Sequence, residues 1–326
     1  MRAGRISVST RAFEVVDVPT PQAGAGQVRI KVGAAGVCLS DVHFLEGILS
    51  PGYLEGDLVT LGHEVAGTID QVGAGVATST VGDRVVVIAG ERNANQQITT
   101  MGFDYDGGWA EYVVTQAELV AKIPDSLAFE QAAIIPDAVS TPWSAITSTG
   151  HVVAGEKVAV FGVGGLGIHA VQLLKIIGAF VIAIDPREDA RANALERGAD
   201  CAFAPDDAQL KKHRGLNAAF DFAGVSPVRK QALSMLGEQG RLVIVGIANE
   251  PIVIPNDMAF TYMRTQIMGH YGSEAKHVRE LIELAASGRL DLSDSISEVL
   301  PLERAADALD KLANKVGNPI RIVLKP

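Results

Sequence analysis

The feature that most constrains this chain is a glycine-rich turn placed between a predicted strand and a predicted helix. The turn has the pattern G-x-G-x-x-G, runs from Gly162 to Gly167 and directly follows the apolar run 158–161. Apolar residues then recur at helical spacing. Such a turn brings backbone N–H groups and the positive end of a helix dipole to a pyrophosphate. The sequence therefore predicts a dinucleotide-binding turn, with contacts from Gly162, Gly164, Gly165, Leu166 and Gly167.

An acidic residue ends the next predicted strand. Asp185 follows the apolar run 180–184, about 20 residues beyond the glycine turn. A carboxylate at this place accepts hydrogen bonds from the adenosine ribose and repels a 2′-phosphate. The pattern therefore favours NAD over NADP. Arg187 and Arg191 follow closely and could instead serve a phosphate, so NADP stays open.

Strands and helices alternate from about residue 140 onward. The predicted elements are strand 157–161, helix 166–177, strand 180–185, helix 187–197 ending at Gly198, strand 219–222, helix 227–236 ending at Gly237, strand 242–245, helices 274–286 and 302–312, and strand 320–324. This alternation predicts an α/β fold with a doubly wound parallel sheet. Residues 1–125 instead alternate β-branched runs with glycine-rich turns, which is typical of a mostly β unit.

Composition narrows the function further. The chain has 326 residues, 48% hydrophobic and 20% charged, which suits two globular domains and excludes intrinsic disorder. Its net charge of −10 argues against nucleic-acid and anionic-membrane partners. The first ten residues lack a secretory signal, and there are only two cysteines, Cys38 and Cys201. We therefore expect a cytoplasmic protein with a small-molecule substrate and neither a nucleic-acid nor a membrane partner.

Two short segments carry residues with metal-ligand chemistry. Residues 38–43 contain Cys38, Ser40, Asp41 and His43, and residues 62–64 read Gly-His-Glu. A thiolate with an imidazole suits zinc, but a catalytic zinc site needs a third protein ligand. Asp137 is the best candidate, because it stands in the otherwise apolar run 133–138, where an unpaired carboxylate is costly.

Each of these residues also has a simpler interpretation. Cys38 could be a small buried hydrophobic residue, and His63 could be a core histidine with its hydrogen bonds satisfied. Asp137 could be the N-terminal cap of a helix over residues 138–146. The residues alone leave these alternatives open.

Taken in order along the chain, these motifs resemble those of the zinc-dependent medium-chain alcohol dehydrogenases, and the resemblance spans essentially the whole sequence. The matching segments are Cys38-x-Ser40-Asp41-x-His43, Gly62-His63-Glu64, 107–112 (GGWAEY), Asp137 with Thr141, and the glycine turn with Asp185. The family implies a GroES-like β-barrel catalytic domain plus a Rossmann domain. By this resemblance, residues 1–138 and 269–326 form the catalytic domain, residues 139–268 form the Rossmann domain, and the active site lies in the cleft.

The resemblance also implies roles for the residues of the zinc site. Cys38, His63 and Asp137 match the zinc ligands, although the third ligand of the family is usually Cys. Glu64 matches a residue near the zinc, and Asp41 matches the acid that orients the zinc-bound histidine. Ser40 matches the hydroxyl that binds the substrate oxygen, and His43 matches the imidazole that passes the proton to solvent by way of the cofactor ribose. The implied reaction is hydride transfer between an alcohol and NAD.

Further matches concern the cofactor and the assembly. Thr141 matches a residue near the nicotinamide, Val245 and Ile247 match contacts with the carboxamide, and Arg321 matches an arginine that approaches the pyrophosphate and Glu64. Residues 91–101 contain none of the four cysteines that hold a structural zinc in many relatives, so one zinc per chain is implied. A homo-oligomer, dimer or tetramer, is also implied.

Three other functions stay open at this point. A polyol or sugar dehydrogenase of the same superfamily is suggested by the carboxylate of Asp137, since polyol enzymes often have Glu there. A zinc-free quinone or enoyl reductase would share the fold, but Cys38 and the Gly-His-Glu triplet speak against it. A cofactor-sensing binding protein that keeps only the remains of an active site is the third alternative, and the intact ligand set speaks against it.

Overall fold

The computed structural model describes residues 1–92, 95, 97–248 and 250–326, and its chain divides into two compact units. The first unit consists of Met1–Ser140 together with Glu274–Pro326, and the second is Thr141–Ser273. Part of the stretch 91–101, namely residues 93, 94 and 96, lies outside the described residues.

The first unit is mostly β. Its strands are β1 (Arg2–Ser7), β2 (Phe13–Asp17), β3 (Gln27–Val37), β4 (Leu58–Thr60), β5 (Val65–Val72), β6 (Arg84–Val87), β7 (Gly90–Arg92), β8 (Ile98–Thr100), β9 (Tyr112–Gln116), β10 (Val120–Lys122), β17 (Ile296–Pro301) and β18 (Arg321–Lys325). Its helices are α1 (Leu39–Leu45), α2 (Phe129–Ala133), α8 (Ala275–Ala286) and α9 (Ala305–Ala313).

The main sheet of this unit has the order β10-β6-β5-β3-β18-β17, and β9 also pairs with β3. In β3 the residues alternate between buried and more exposed positions from Gln27 to Ala34, as a strand with one face on the core requires, and residues 34–37 are all buried. The last strand, β18, pairs antiparallel with β3, with Ile322 opposite Val37. The C-terminal segment thus completes the sheet of the first unit. The buried core around it includes Ile30, Phe44 and Leu61.

The second unit is built on six parallel strands. They are β11 (Lys157–Phe161), β12 (Phe180–Ile184), β13 (Cys201–Phe203), β14 (Leu216–Asp221), β15 (Leu236–Ile244) and β16 (Gln266–Gly269). The order in the sheet is β13-β12-β11-β14-β15-β16, the 3-2-1-4-5-6 order of the dinucleotide-binding fold. The helices are α3 (Ser140–Ser144, its first residue in the other unit), α4 (Gly167–Ile177), α5 (Glu188–Glu196), α6 (Ser226–Met235) and α7 (Asp257–Tyr262). The predicted doubly wound parallel sheet is confirmed.

Two glycines predicted as helix stops behave differently. Gly198 directly follows the C-cap of α5 with φ of 97°, the left-handed conformation that ends many helices. Gly237 lies inside β15, so its predicted role as a stop is wrong. There α6 ends at Met235 and the chain extends at once, because Leu236 pairs with Leu216 of β14.

In the described part of the chain, no helix combines the length and the apolar character that crossing a bilayer requires.

Candidate functional site

The topology of the first unit gathers the predicted zinc-site residues at one end of three neighbouring strands. Cys38 directly follows β3, His63 and Glu64 directly precede β5, and Arg321 begins β18. Because β5 and β18 both run antiparallel to β3, the end of β3 lies beside the starts of the other two strands. Residues from three segments that are far apart in sequence therefore meet at one place.

Asp137 reaches the same place from a π-helical turn. The turn spans Ile135–Val139, and within it only Asp137 is not fully buried. Pro136 has no N–H to donate, and its carbonyl accepts a hydrogen bond from Ser140 Oγ at 2.6 Å. Single π turns inside helices are frequent at functional sites. The carboxylate lies 3.3 Å from Cys38 Sγ and 3.5 Å from His63 Nε2, so it faces the other two predicted ligands.

Cys38 is held at the N-terminus of α1. Its backbone N–H donates to Asp41 Oδ2 at 2.9 Å, which makes Asp41 part of the helix cap as well as a neighbour of the histidine. The thiol side chain is buried.

His63 owes its position to the glycine before it. Gly62 has φ of 98°, and a Cβ there would lie 2.3 Å from the ring of Trp109, so only glycine fits. The imidazole Nδ1 lies 3.5 Å from Asp41 Oδ1. With Asp41 on one side, the other nitrogen, Nε2, faces Asp137 and lies 3.3 Å from Ser40 Oγ. This is the arrangement in which a carboxylate orients a metal-binding histidine.

The cluster favours positive charge. Burial opposes a charge on His63, but the negative charge of Asp41, with the neighbouring Asp137 and Cys38, outweighs it and raises the pKa of His63 well above 6.5. Burial likewise opposes the charge on Arg321, and Glu64, Cys38 and Asp137 overcome it and raise the pKa of Arg321. A site that stabilises cations in this way is suited to a metal ion.

Glu64 and Arg321 form a buried ion pair behind the three donors. Arg321 Nη2 donates to Glu64 Oε1 at 2.5 Å and lies 3.5 Å from Asp137 Oδ2. The same Glu64 oxygen accepts from the N–H of Ala138, in the π turn, at 2.9 Å. Burial raises the pKa of Glu64 to about 7, with Arg321 acting against the rise. A Cβ on Gly36 would lie 1.9 Å from Glu64 Oε2, so the carboxylate packs directly on the backbone of β3.

The three donors fit zinc. Cys38, His63 and Asp137 each offer one ligand atom, and these atoms lie within 4.8 Å of one another. Tetrahedral zinc with bonds of about 2.0–2.3 Å holds its ligand atoms roughly 3.3–3.8 Å apart. The distances of 3.3 Å and 3.5 Å from Asp137 match this spacing. Three protein ligands leave a fourth position for substrate, as in catalytic rather than structural sites. Across the described ranges, no other such group of three occurs.

His43 lies one turn beyond Ser40 on α1 and is partly buried. Burial lowers the pKa of His43 below 6.5, with Glu46 acting against the shift. The imidazole is therefore neutral near pH 7 and able to accept a proton.

The glycine turn of the second unit closes tightly at the start of α4. Gly162 has φ of 82°, and a Cβ on Gly167 would lie 1.8 Å from the carbonyl oxygen of Gly162, so the turn closes only with glycine. A Cβ on Gly164 would meet only Arg187 Nη2, at 3.6 Å. No side chain caps the start of α4, where the N–H of Ile168 donates to the carbonyl of Gly164 at 3.0 Å. The N-terminus of the helix carries the positive end of the helix dipole, which favours an anion such as a pyrophosphate.

Asp185, which directly follows β12, is hydrogen-bonded to the glycine turn. Its Oδ2 accepts from the N–H of Val163 at 3.0 Å, and its Oδ1 accepts from the backbone N–H and the guanidinium of Arg187 at 3.0 Å and 3.1 Å. Arg191 Nη1 donates to the carbonyl of Asp185 at 2.9 Å. The buried acid is therefore fixed in position, with a guanidinium already beside it.

Three other predicted cofactor residues lie in this unit. Val245 and Ile247 follow the carboxyl end of β15, the edge at which doubly wound sheets bind ligands. Val245 is partly buried and Ile247 is exposed, whereas Thr141 is buried within α3. At the same edge lies a pair that sequence reasoning missed, Asp221 with Arg229. The signal was present, because Asp221 interrupts an apolar strand just as Asp137 interrupts an apolar run.

Comparison with known proteins gives two family matches. Residues 24–125 match the alcohol dehydrogenase GroES-like domain, and residues 165–287 match the zinc-binding dehydrogenase domain. An alcohol dehydrogenase of Geobacillus stearothermophilus is 33% identical over 100% of this chain and 99% of its own length. The 2-dehydro-3-deoxy-L-galactonate 5-dehydrogenase of Pseudoalteromonas atlantica is 30% identical over 96% of this chain and 94% of its own.

Among solved structures, the 2R,3R-butanediol dehydrogenase of Bacillus subtilis superposes with a TM-score of 0.90 at 26% identity. The superposition covers 100% of this chain and 99% of that one.

Proposed function

The chain belongs to the zinc-dependent medium-chain alcohol dehydrogenase family and is an oxidoreductase of alcohols and carbonyl compounds, and on that premise we propose how its own residues carry the reaction. The GroES-like and Rossmann fold class predicted from the sequence is confirmed. We propose that one zinc ion per chain is held by Cys38, His63 and Asp137. We also propose NAD as the cofactor, residues 1–138 with 269–326 as the catalytic domain and residues 139–268 as the Rossmann domain.

One observation carries this proposal: a thiol, an imidazole and a carboxylate converge at spacings that suit tetrahedral zinc, in a cluster that favours positive charge. The absence of a four-cysteine segment from the sequence supports a single zinc. The chemistry supplied by the bound groups is polarisation of the substrate oxygen by zinc and acceptance of a hydride by the nicotinamide.

The protein's own residues then position the substrate and move its proton. Ser40 Oγ, close to His63 Nε2, is placed to hydrogen-bond the hydroxyl of an alcohol at the donor cluster. His43, neutral near pH 7, is the base that accepts the released proton on its way to solvent. Glu64 and Arg321 keep a buried charge pair behind the ligands, which fixes Asp137 through the shared contact with Arg321.

The preference for NAD over NADP rests on Asp185. Its carboxylate, held by the N–H of Val163, stands where the adenosine ribose is expected and would repel a 2′-phosphate. Gly162, Gly164, Gly165, Leu166 and Gly167 would hold the pyrophosphate, with Arg187 beside them. Thr141, Val245 and Ile247 would contact the nicotinamide half, and Arg321 would approach the pyrophosphate.

The direct test is metal analysis of the purified protein combined with a turnover assay on NAD and simple alcohols. We expect about one zinc per chain and activity that chelation removes and added zinc restores. Two tightly held zinc ions per chain, or full activity without metal, would contradict the proposal.

A polyol or sugar substrate is the second candidate. It is supported by the carboxylate at Asp137 and by the likeness to a sugar-acid dehydrogenase and a butanediol dehydrogenase. A substrate panel that compares kcat/KM for primary alcohols, vicinal diols and sugar alcohols separates the two. A zinc-free reductase or a relic binding protein is disfavoured by the complete donor set.

We also propose that the protein is a cytoplasmic homo-oligomer. Several apolar residues of the segment that precedes the edge strand β16 are exposed, and a subunit interface would cover them. They are Ile252, Val253, Ile254, Met258 and Tyr262. Both cysteines are free thiols, which suits a reducing compartment. Light scattering tests the assembly, and a mass of one chain would contradict it.

A further inference from the structure

The second unit contains a buried ion pair that the proposed reaction does not use. Asp221 is the last residue of β14 and is fully buried, and Arg229 of α6 is 4% exposed. Arg229 Nε donates to Asp221 Oδ2 at 2.9 Å. Replacing a buried pair of this kind with apolar side chains is often neutral or stabilising, so stability alone is a weak reason for its presence.

The pair joins the two loops that follow β14 and β15. Asp221 Oδ1 accepts from the N–H groups of Ala223 at 3.0 Å and Gly224 at 2.9 Å, in the first loop. Arg229 Nη2 donates to the carbonyl of Gly246 at 3.0 Å, in the second loop. The carbonyl of Asp221 also accepts from the N–H groups of Val245 and Gly246 at 2.9 Å and 2.7 Å.

The two loops also touch through their backbones. Gly224 has φ of 65°, and a Cβ there would lie 2.6 Å from the carbonyl oxygen of Ile247. A Cβ on Gly246 would lie 2.3 Å from the backbone nitrogen of Gly224. A small shift of one loop is therefore transmitted to the other, because packed backbones cannot yield independently.

We propose that the Asp221–Arg229 pair is a positioning device that sets Val245 and Ile247 for the nicotinamide half of the cofactor. The inference rests on the proposed function, which places the carboxamide at these two residues. The pair lies at the carboxyl edge of the sheet, where ligands of this fold bind. The side chains of the pair hold both loops, since Arg229 Nη2 donates to the carbonyl of Gly246 and Asp221 Oδ1 accepts from the N–H of Gly224, whose backbone packs against Gly246 and Ile247.

The test compares two ligands that differ only in the nicotinamide half. Dissociation constants of NADH and ADP-ribose are measured for the unmutated protein and for Arg229→Met and Arg229→Lys. We expect Arg229→Met to bind NADH about tenfold more weakly, because the loop proposed to hold the nicotinamide half is then no longer fixed in its binding position. ADP-ribose binding should be unchanged, and Arg229→Lys should show the smaller loss because a single ammonium replaces only part of the guanidinium's hydrogen bonding.

Arg241→Met is the matched control. Arg241 pairs with Glu156 and donates to the carbonyl of Asn217 at the opposite, amino end of the same sheet. We expect it to lower the thermal midpoint and to leave the ratio of the NADH and ADP-ribose dissociation constants unchanged. If Arg241→Met changes that ratio as much as Arg229→Met does, the pair is merely structural and the proposal is overturned.

Gly246→Ala keeps the proposal testable if Arg229→Met fails to fold. The added Cβ displaces the second loop without removing a charge, and it should weaken NADH binding selectively. Equal losses for both ligands, or no loss for either, would overturn the positioning role. If the unmutated protein binds neither NADH nor NADPH, the proposed function itself fails, and the positioning role fails with it.

Discussion

Each unit of the molecule buries an arginine against a carboxylate, and the two pairs are completed differently. In the second unit, Asp221 and Arg229 have all their buried polar side-chain atoms hydrogen-bonded. In the first unit, Glu64 Oε2 and Arg321 Nε find no hydrogen-bond partner among the described residues. Native structures leave few buried polar groups unsatisfied, and those left often serve chemistry. Both pairs hold backbone N–H groups, but only the first-unit pair keeps side-chain atoms without a hydrogen bond to any described residue, beside the proposed zinc ligands.

The largest expected effect breaks the cluster of the first unit at its thiol. Cys38→Ala removes one of the three proposed zinc ligands, so we expect bound zinc to fall severely and kcat/KM to drop by more than about a hundredfold. The thermal midpoint of the metal-free protein should change little, because one small side chain is lost. Elemental analysis measures the bound zinc, and an alcohol oxidation assay measures kcat/KM. A variant that keeps its zinc would remove Cys38 from the ligand set.

Breaking the pair of the second unit should act on stability instead. Arg229→Met leaves the buried carboxylate of Asp221 without its cation, and we expect a loss of about 3–5 kcal/mol in the free energy of unfolding. Adding Asp221→Asn removes the second charge yet keeps the oxygen that accepts from Ala223 and Gly224, so it should recover part of that loss. Denaturant unfolding measures the free energy of unfolding of both variants. A double variant that is less stable than Arg229→Met would contradict this prediction.

A third prediction concerns the adenosine end of the second unit. Asp185→Gly removes the carboxylate that we propose favours NAD, and it frees Arg187 for a phosphate. We expect the ratio of kcat/KM for NAD over that for NADP to fall by about tenfold or more. Asp200→Asn is a suitable control, because that acid pairs with Lys175 away from the glycine turn. An unchanged ratio in Asp185→Gly would show that this residue does not select the cofactor.

The smallest effect is expected for His43, the proposed proton acceptor. Burial lowers the pKa of His43 below 6.5, so the imidazole is neutral and can accept a proton at neutral pH. It loses this ability only when the pH falls through the lowered pKa and the ring becomes protonated. His43→Gln should therefore reduce kcat several-fold near neutral pH. The deficit should shrink at alkaline pH, where hydroxide accepts the proton. A pH-independent deficit would argue against the relay, and lost zinc would make His43 a ligand.

The features that depend on residues close together along the chain could be predicted from the sequence. The glycine turn and Asp185 lie in one strand–turn–helix segment, and Cys38 with Asp41 lies in one helix cap, so neighbours along the chain reveal them. The parallel order of the second sheet also follows from alternating strands and helices.

What the sequence did not predict depends on partners distant along the chain. The π turn around Asp137 is set by packing and by the bond from Ser140 to Pro136, which no helical propensity reports. The salt bridge of Asp221 was missed because its partner is chosen by the approach of α6 to the sheet edge. The strand starting at Leu236 was placed too late, because pairing with Leu216 outweighs the breaking tendency of Gly237.

The central claim is that Asp137 is the third zinc ligand, and two substitutions at that position test it most directly. Bound zinc per chain and thermal midpoint are measured for Asp137→Ala and Asp137→Cys. As a ligand, Asp137 supplies charge and geometry, so the alanine variant should lose its zinc, whereas the cysteine variant should hold zinc at least as tightly through its thiolate. If the alanine variant retains one zinc per chain, Asp137 is not a ligand, and the assignment moves to Glu64.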